Sequence, residues 1–116
     1  MKKILLDEGV PRPLARKLCA SGLEVSAFPN DWKQLSNGAL LDRIVAAGFN
    51  VLITNDKNMG HQQTLGSRSL AVLVLPTNRL PDVLAMAPQI VLSLDKLEAG
   101  RFTNVDASAD DERDVT

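Results

Sequence analysis

The 116 residues carry 13 basic side chains against 14 acidic ones, with one His, one Cys and 45% apolar residues, enough for one globular domain and too few for two. No apolar run approaches the roughly 20 residues of a membrane span, and none follows Lys2 and Lys3 as a leader would, which argues against insertion or secretion and for the cytoplasm. A lone Cys19 closes no internal disulfide and with His61 is too little for a zinc site, so any metal falls to carboxylates and is a hard cation; aromatics at 3% leave little for stacking single-stranded nucleic acid.

The near-neutral total hides an asymmetry. Residues 106–116 hold Asp106, Asp110, Asp111, Glu112 and Asp114 against Arg113, a net −4, which leaves residues 1–105 with 12 basic and 9 acidic side chains, net +3. The small, polar, acidic tail reads as disordered. The domain is therefore residues 1–105, and its charge is mild for a nucleic-acid binder.

In chain order, Lys3 to Leu6 is a short apolar strand ending in Asp7 and Glu8. Residues 11–21 set Leu14 with Leu18, and Ala15 with Cys19, at i,i+4 spacing behind Pro11 and Pro13, with Gly22 as the stop, which predicts a helix with Cys19 in the core. Leu23 to Phe28 is a second strand. A loop through Pro29, Asn30, Asp31 and Trp32 reaches a helix start at Ser36 or Asn37, and Leu40, Leu41, Ile44 and Val45 form that helix's buried stripe up to Gly48. Asn50 to Thr54, apolar at consecutive positions, predicts a strand covered on both faces. After the polar stretch Asn55 to Arg68 comes Leu70 to Leu75, the most β-like run, then an apolar helical region from Pro81 to Ala99 that Pro88 interrupts or restarts. Arg101 to Val105 adds an edge strand. This alternation predicts an α/β fold, a three-layer α/β/α sandwich on a mainly parallel sheet of four to five strands.

In such sandwiches ligands bind outside the carboxyl ends of the strands. That rule selects Asp7 and Glu8 after the first strand, Asn55, Asp56, Lys57 and Asn58 after the third, and Pro76, Thr77 and Asn78 after the fourth. Converging carboxylates repel one another unless a cation or proton lies between them. An all-oxygen set suits Mg²⁺ or Mn²⁺, and a metal there orients water against a phosphodiester, as in nucleases.

The runs Lys3-Ile4-Leu5-Leu6-Asp7-Glu8-Gly9-Val10-Pro11, Gly22-Leu23-Glu24-Val25 and Val51-Leu52-Ile53-Thr54-Asn55-Asp56-Lys57-Asn58 resemble, in order and over about residues 2–105, the small bacterial PIN-like proteins related to the toxin ribonucleases of toxin-antitoxin pairs. The resemblance implies a PIN-type fold and a divalent-metal nuclease site in which Asp7, Glu8 and Asp56 match the catalytic acids, with Asp7, Asp56 and Asn58 around the metal. It also implies a small basic antitoxin whose Arg or Lys enters the acidic cleft; a homodimer is among the oligomeric states left open. The chain departs from the pattern at Asn58 and Asn37, where fully acidic members carry Asp. Each change removes a charge that attracts a cation.

Duller readings stand beside these. Asp7 and Glu8 end a strand as solvated charge, and Asp56 caps a following helix. Arg12, Lys57 and Arg68 are the candidate phosphate contacts, although Lys57 also serves by tempering repulsion between carboxylates. Asn37 suits an N-cap, and Asp42 lies more than a helical turn beyond it. His61 has no triad partners nearby, and Trp32 suits a half-buried loop position better than its other reading, a partner-facing anchor. Two other functions fit: a PIN-like binding module without turnover, and a phosphoacceptor receiver domain, against which counts the lack of Lys in the last strand.

Overall fold

The computed structural model describes residues 2–56 and 68–105. Lys57, Asn58, His61 and the acidic tail lie outside that range, as does any helix between the third and fourth strands.

The first strand, β1 (Lys3–Leu6), leads through a turn into helix α1 (Pro13–Cys19). Pro13 stands in α1's first turn, where its missing N–H costs no bond, and Arg16 and Lys17 meet the negative end of the helix dipole in the last. Leu14 and Leu18 are buried, but Cys19 is exposed, with its thiol 3.6 Å from the Val25 carbonyl oxygen. The expectation that Cys19 joins the core is thus corrected: it follows Leu18 by about 100°, which carries it off the buried line.

Strand β2 (Glu24–Ser26) is shorter than Leu23 to Phe28 suggested. A turn of 3₁₀ helix at Asn30–Trp32 then precedes α2 (Asn37–Ala46), whose N-cap position is Ser36 and not Asn37. Gly48, at φ +91°, closes α2: its N–H donates to the Val45 carbonyl and that of Phe49 to Ile44, a pairing that needs a left-handed residue between them. Next come β3 (Val51–Thr54) and β4 (Ala71–Val74), both buried at every position. The helical region beyond is two helices, α3 (Leu80–Ala85) and α4 (Ala87–Leu94), with Pro88 in the first turn of α4, so the proline restarts the helix. Strand β5 (Phe102–Asn104) is exposed throughout.

Among the described residues the strands form one all-parallel sheet in the order β2-β1-β3-β4-β5. The pleat sorts its side chains. Ile4, Leu6, Val51, Ile53, Ala71 and Leu73 pack with α1, α3 and α4, whereas Leu5, Leu52, Val72 and Val74 pack with α2, Phe28 and Phe49. Period-two alternation thus builds two cores back to back, giving the three layers. No helix among the described residues is long and apolar enough to cross a membrane.

Candidate functional site

The topology brings Asp7 and Asp56 to one end of adjacent strands. β1 and β3 pair in parallel with Leu6 opposite Ile53, and the Asp7 N–H continues the ladder by donating to the Ile53 carbonyl at 2.8 Å. Counting in twos from Leu5 and Leu52 turns Asp7 and Thr54 toward the α2 face. Their side chains meet there: the buried Thr54 hydroxyl donates to Asp7 Oδ2 at 2.6 Å, while the Asp56 N–H donates to Thr54 Oγ1 at 3.0 Å. One hydroxyl therefore holds a carboxylate of β1 and fixes the turn that carries the carboxylate after β3. The other oxygen of Asp7, Oδ1, accepts the Glu8 N–H at 2.8 Å, so a residue only 8% exposed has both oxygens bonded.

The turn beyond β1 is built closely against the one beyond β3. The Val10 N–H closes on the Asp7 carbonyl, and Asn55 Nδ2 donates to the Gly9 carbonyl at 2.9 Å. A Cβ at Gly9 would stand 2.7 Å from Asn55 Oδ1, which explains the glycine by close approach. Glu8, between them, is exposed.

These residues line a cleft of about 340 Å³. Its lining is acidic at Asp7, Glu8 and Asp56 and apolar at Phe28, Trp32, Leu35 and Leu40, with the exposed Lys33 as its cation among the described residues. A smaller cleft of about 80 Å³ shares Asp7, Glu8, Phe28 and Lys33 with it and adds Arg12. Trp32 is half-buried and meets Phe28 and Phe49 edge to face, each at 6.4 Å between ring centres.

Asp7, Glu8 and Asp56 thus line one cleft, with Arg12 beside it. Arg68 does something else: its Nε donates to Asp42 at 2.8 Å and its Nη2 reaches the Gly38 carbonyl at 3.4 Å, both on α2. Asp42 is engaged by that ion pair. Thr77 lies past the end of β4, where its hydroxyl accepts the Arg79 N–H in a local turn.

Thr54, Lys33 and the apolar lining escaped the sequence reading. The parity of β3 gives the face on which Thr54 lies, but its place beside Asp7 follows from the register of β1 against β3. Lys33 and Leu35 carried no signal, because the loop after β2 has no periodicity to orient it.

Among the described residues no group of three or more His, Cys, Asp or Glu is arranged to hold a metal ion. The described donor set is the Asp7 carboxylate, bonded to the Thr54 hydroxyl, with the side chains of Asp56 and Glu8 on the same cleft. Mg²⁺ keeps several of its waters and commonly takes only one or two carboxylates, so this set fits a hydrated hard cation and not a closed protein cage. Compared with known proteins by family model, by sequence and by structure, the chain matches none.

Proposed function

We propose that this chain is a PIN-like nuclease dependent on Mg²⁺ or Mn²⁺ that hydrolyses RNA or single-stranded nucleic acid. The observation that carries the reading is the buried Thr54 hydroxyl, bonded at once to the Asp7 carboxylate and the Asp56 backbone, two residues that line a cleft at the carboxyl end of adjacent parallel strands. Crevices outside the carboxyl ends of the strands are where doubly wound sheets bind ligands. Asp7 and Asp56 would hold the cation, with Asn58 beyond the described residues as the further oxygen ligand; when bound, the cation lowers the pKa of water and offsets phosphate charge.

The chain's own groups do the rest. Thr54 fixes the direction of Asp7, a residue of the cleft lining, so that the carboxylate is held before a ligand arrives. Glu8 takes the proton of the attacking water as its oxygen bonds to phosphorus; the phosphorus–oxygen bond to the leaving nucleoside breaks, and that oxygen is protonated by solvent. Lys33 and Arg12, with Lys57 from the adjoining segment, bind phosphate oxygens as point charges. Arg68, paired with Asp42, is assigned to bracing the approach to β4 against α2. A small basic partner inserting Arg or Lys between the carboxylates would satisfy the same charge and compete with the cation; affinity capture with and without 10-fold excess Mn²⁺, on the order used in competition assays, tests this by release of the partner.

The deciding experiment is calorimetric titration with Mn²⁺ of the wild type and Asp7→Asn, followed by incubation with mixed RNAs. Binding and cleavage in the wild type, both absent in Asp7→Asn and Asp56→Asn and both stronger in Asn58→Asp, support the nuclease. Mn²⁺ binding absent from the wild type and from Asn58→Asp leaves the binding module without turnover. Cleavage that survives EDTA belongs to another site.

The strand order favours a second reading, because receiver domains share it. Their phosphoryl-holding Lys is missing from Phe102-Thr103-Asn104 in β5. Acetyl phosphate is therefore expected to leave Asp56 unmodified by intact mass measurement, and an added phosphoryl group on Asp56 overturns the nuclease assignment.

A further inference from the structure

The cleft has an apolar half for which metal-assisted hydrolysis has no use. Phe28 and the α2 residue Leu40 are buried in the core, whereas Trp32 and Leu35 pack on that core and stay half-exposed in the cleft lining. Two of the chain's four aromatic rings thus line the acidic cleft, which revises the expectation that aromatic contact is negligible. The charges narrow the occupant. Three carboxylates against Lys33 repel a bare anion, but they accept hydrogen bonds from a neutral group that presents N–H donors beside an apolar body. An unstacked nucleobase has both features, and the volume of about 340 Å³ lies at the lower end of the range for small-ligand clefts.

We infer that the wall formed by Trp32 and Leu35 is a base subsite, which seats one nucleobase of a single strand with its amino and imino donors toward the cleft carboxylates and its sugar-phosphate toward Lys33. The proposal rests on the nucleic-acid reading above and adds to it. It explains a preference for single strands physically: in a duplex the base is stacked on its neighbours and its Watson–Crick donors are already paired. Because the base is uncharged, its binding needs no cation to offset charge, and it can be measured with the carboxylates metal-free.

Trp32 is the only tryptophan, so its emission reports on the wall directly. The full chain in EDTA is titrated with adenosine, cytidine and ribose, with excitation to the red of the base absorption. Saturable change with either nucleoside, none with ribose, and an affinity weakened roughly ten-fold in Leu35→Asn support the subsite. Leu35→Asn keeps the fluorophore and replaces a half-exposed side chain, and an unchanged thermal melt shows that it still folds. A response to ribose equal to that of the nucleosides, or a nucleoside affinity indifferent to Leu35→Asn, overturns it. So does an arginine-rich peptide that alters Trp32 emission where nucleosides do not, which gives the wall to a protein partner. The two readings fail separately: nucleoside binding without Mn²⁺-dependent cleavage keeps the subsite and removes the nuclease, whereas cleavage that is equally fast at abasic and base-bearing positions keeps the nuclease and removes the subsite.

Discussion

Thr54 shows how one buried atom couples two strands. Its side chain is fully buried, and its hydroxyl satisfies Asp7 while accepting from the Asp56 backbone. Thr54→Val keeps the shape but strips a hydrogen bond from a buried carboxylate oxygen and from a backbone N–H. It is expected to lower stability by about 1–3 kcal/mol, read by urea denaturation. Thr54→Ser restores the hydroxyl and should recover Mn²⁺ affinity more fully than stability, since the lost methyl leaves a small void. An equal recovery of both would make the hydroxyl's role purely structural. Gly9 is the companion case. Gly9→Ala drives a methyl onto Asn55 Oδ1 and is expected to break the bond from Asn55 to the Gly9 carbonyl, loosening the turn that carries Glu8. Faster amide exchange at Val10 and Asp56 is the measurement.

At the scale of elements, the ends of helices are set by geometry that a substitution can probe one at a time. A Cβ on Gly22, at φ +89°, meets nothing within 4 Å, so Gly22→Ala isolates backbone strain from steric contact. The expected loss is about 1–2 kcal/mol, the cost of a left-handed L-residue, measured as a shift of the denaturation midpoint without change of slope. Helix α1 offers a second check. Cys19 stands off the buried Leu14–Leu18 line, so native protein should react with a thiol reagent at the rate of an exposed cysteine, without prior unfolding. Protection until denaturant is added would return Cys19 to the core.

For the whole molecule, the two cores on either face of the sheet give a test of cooperativity. Ile44 in α2 and Ile90 in α4 are both fully buried but belong to different clusters. Ile44→Ala and Ile90→Ala should each cost about 2–5 kcal/mol, and because the sheet between them is continuous the double variant should add and still unfold in one transition. Two separate transitions would mean that the layers fold independently. Binding to RNA should weaken with salt, with a slope set by the few scattered cations that contact phosphate on a domain of net +3. The base subsite takes an uncharged nucleoside, whose binding releases no counterions, and should keep its affinity over the same salt range.

Local pattern alone determined the α/β class, the parallel alternation, a break in the helical region at Pro88 and the strand-end position of Asp7 and Asp56, since each depends on neighbours within a few residues. β-branched and aliphatic runs, proline's missing donor and glycine's free φ act at that range. The ends of β2 were not legible, because a short strand is defined by what it pairs with; neither was the exposure of Cys19, where an i,i+4 match to Ala15 stood in for a burial that only packing decides. The tertiary structure alone decided that Thr54 joins the two acidic turns, that Arg68 spends its charge on Asp42, and that Trp32 and Leu35 come to line the acidic cleft. Those relations join residues up to 47 positions apart. Long-range pairing of this kind is fixed by the order of strands in the sheet, and no single element of the chain carries that order within itself.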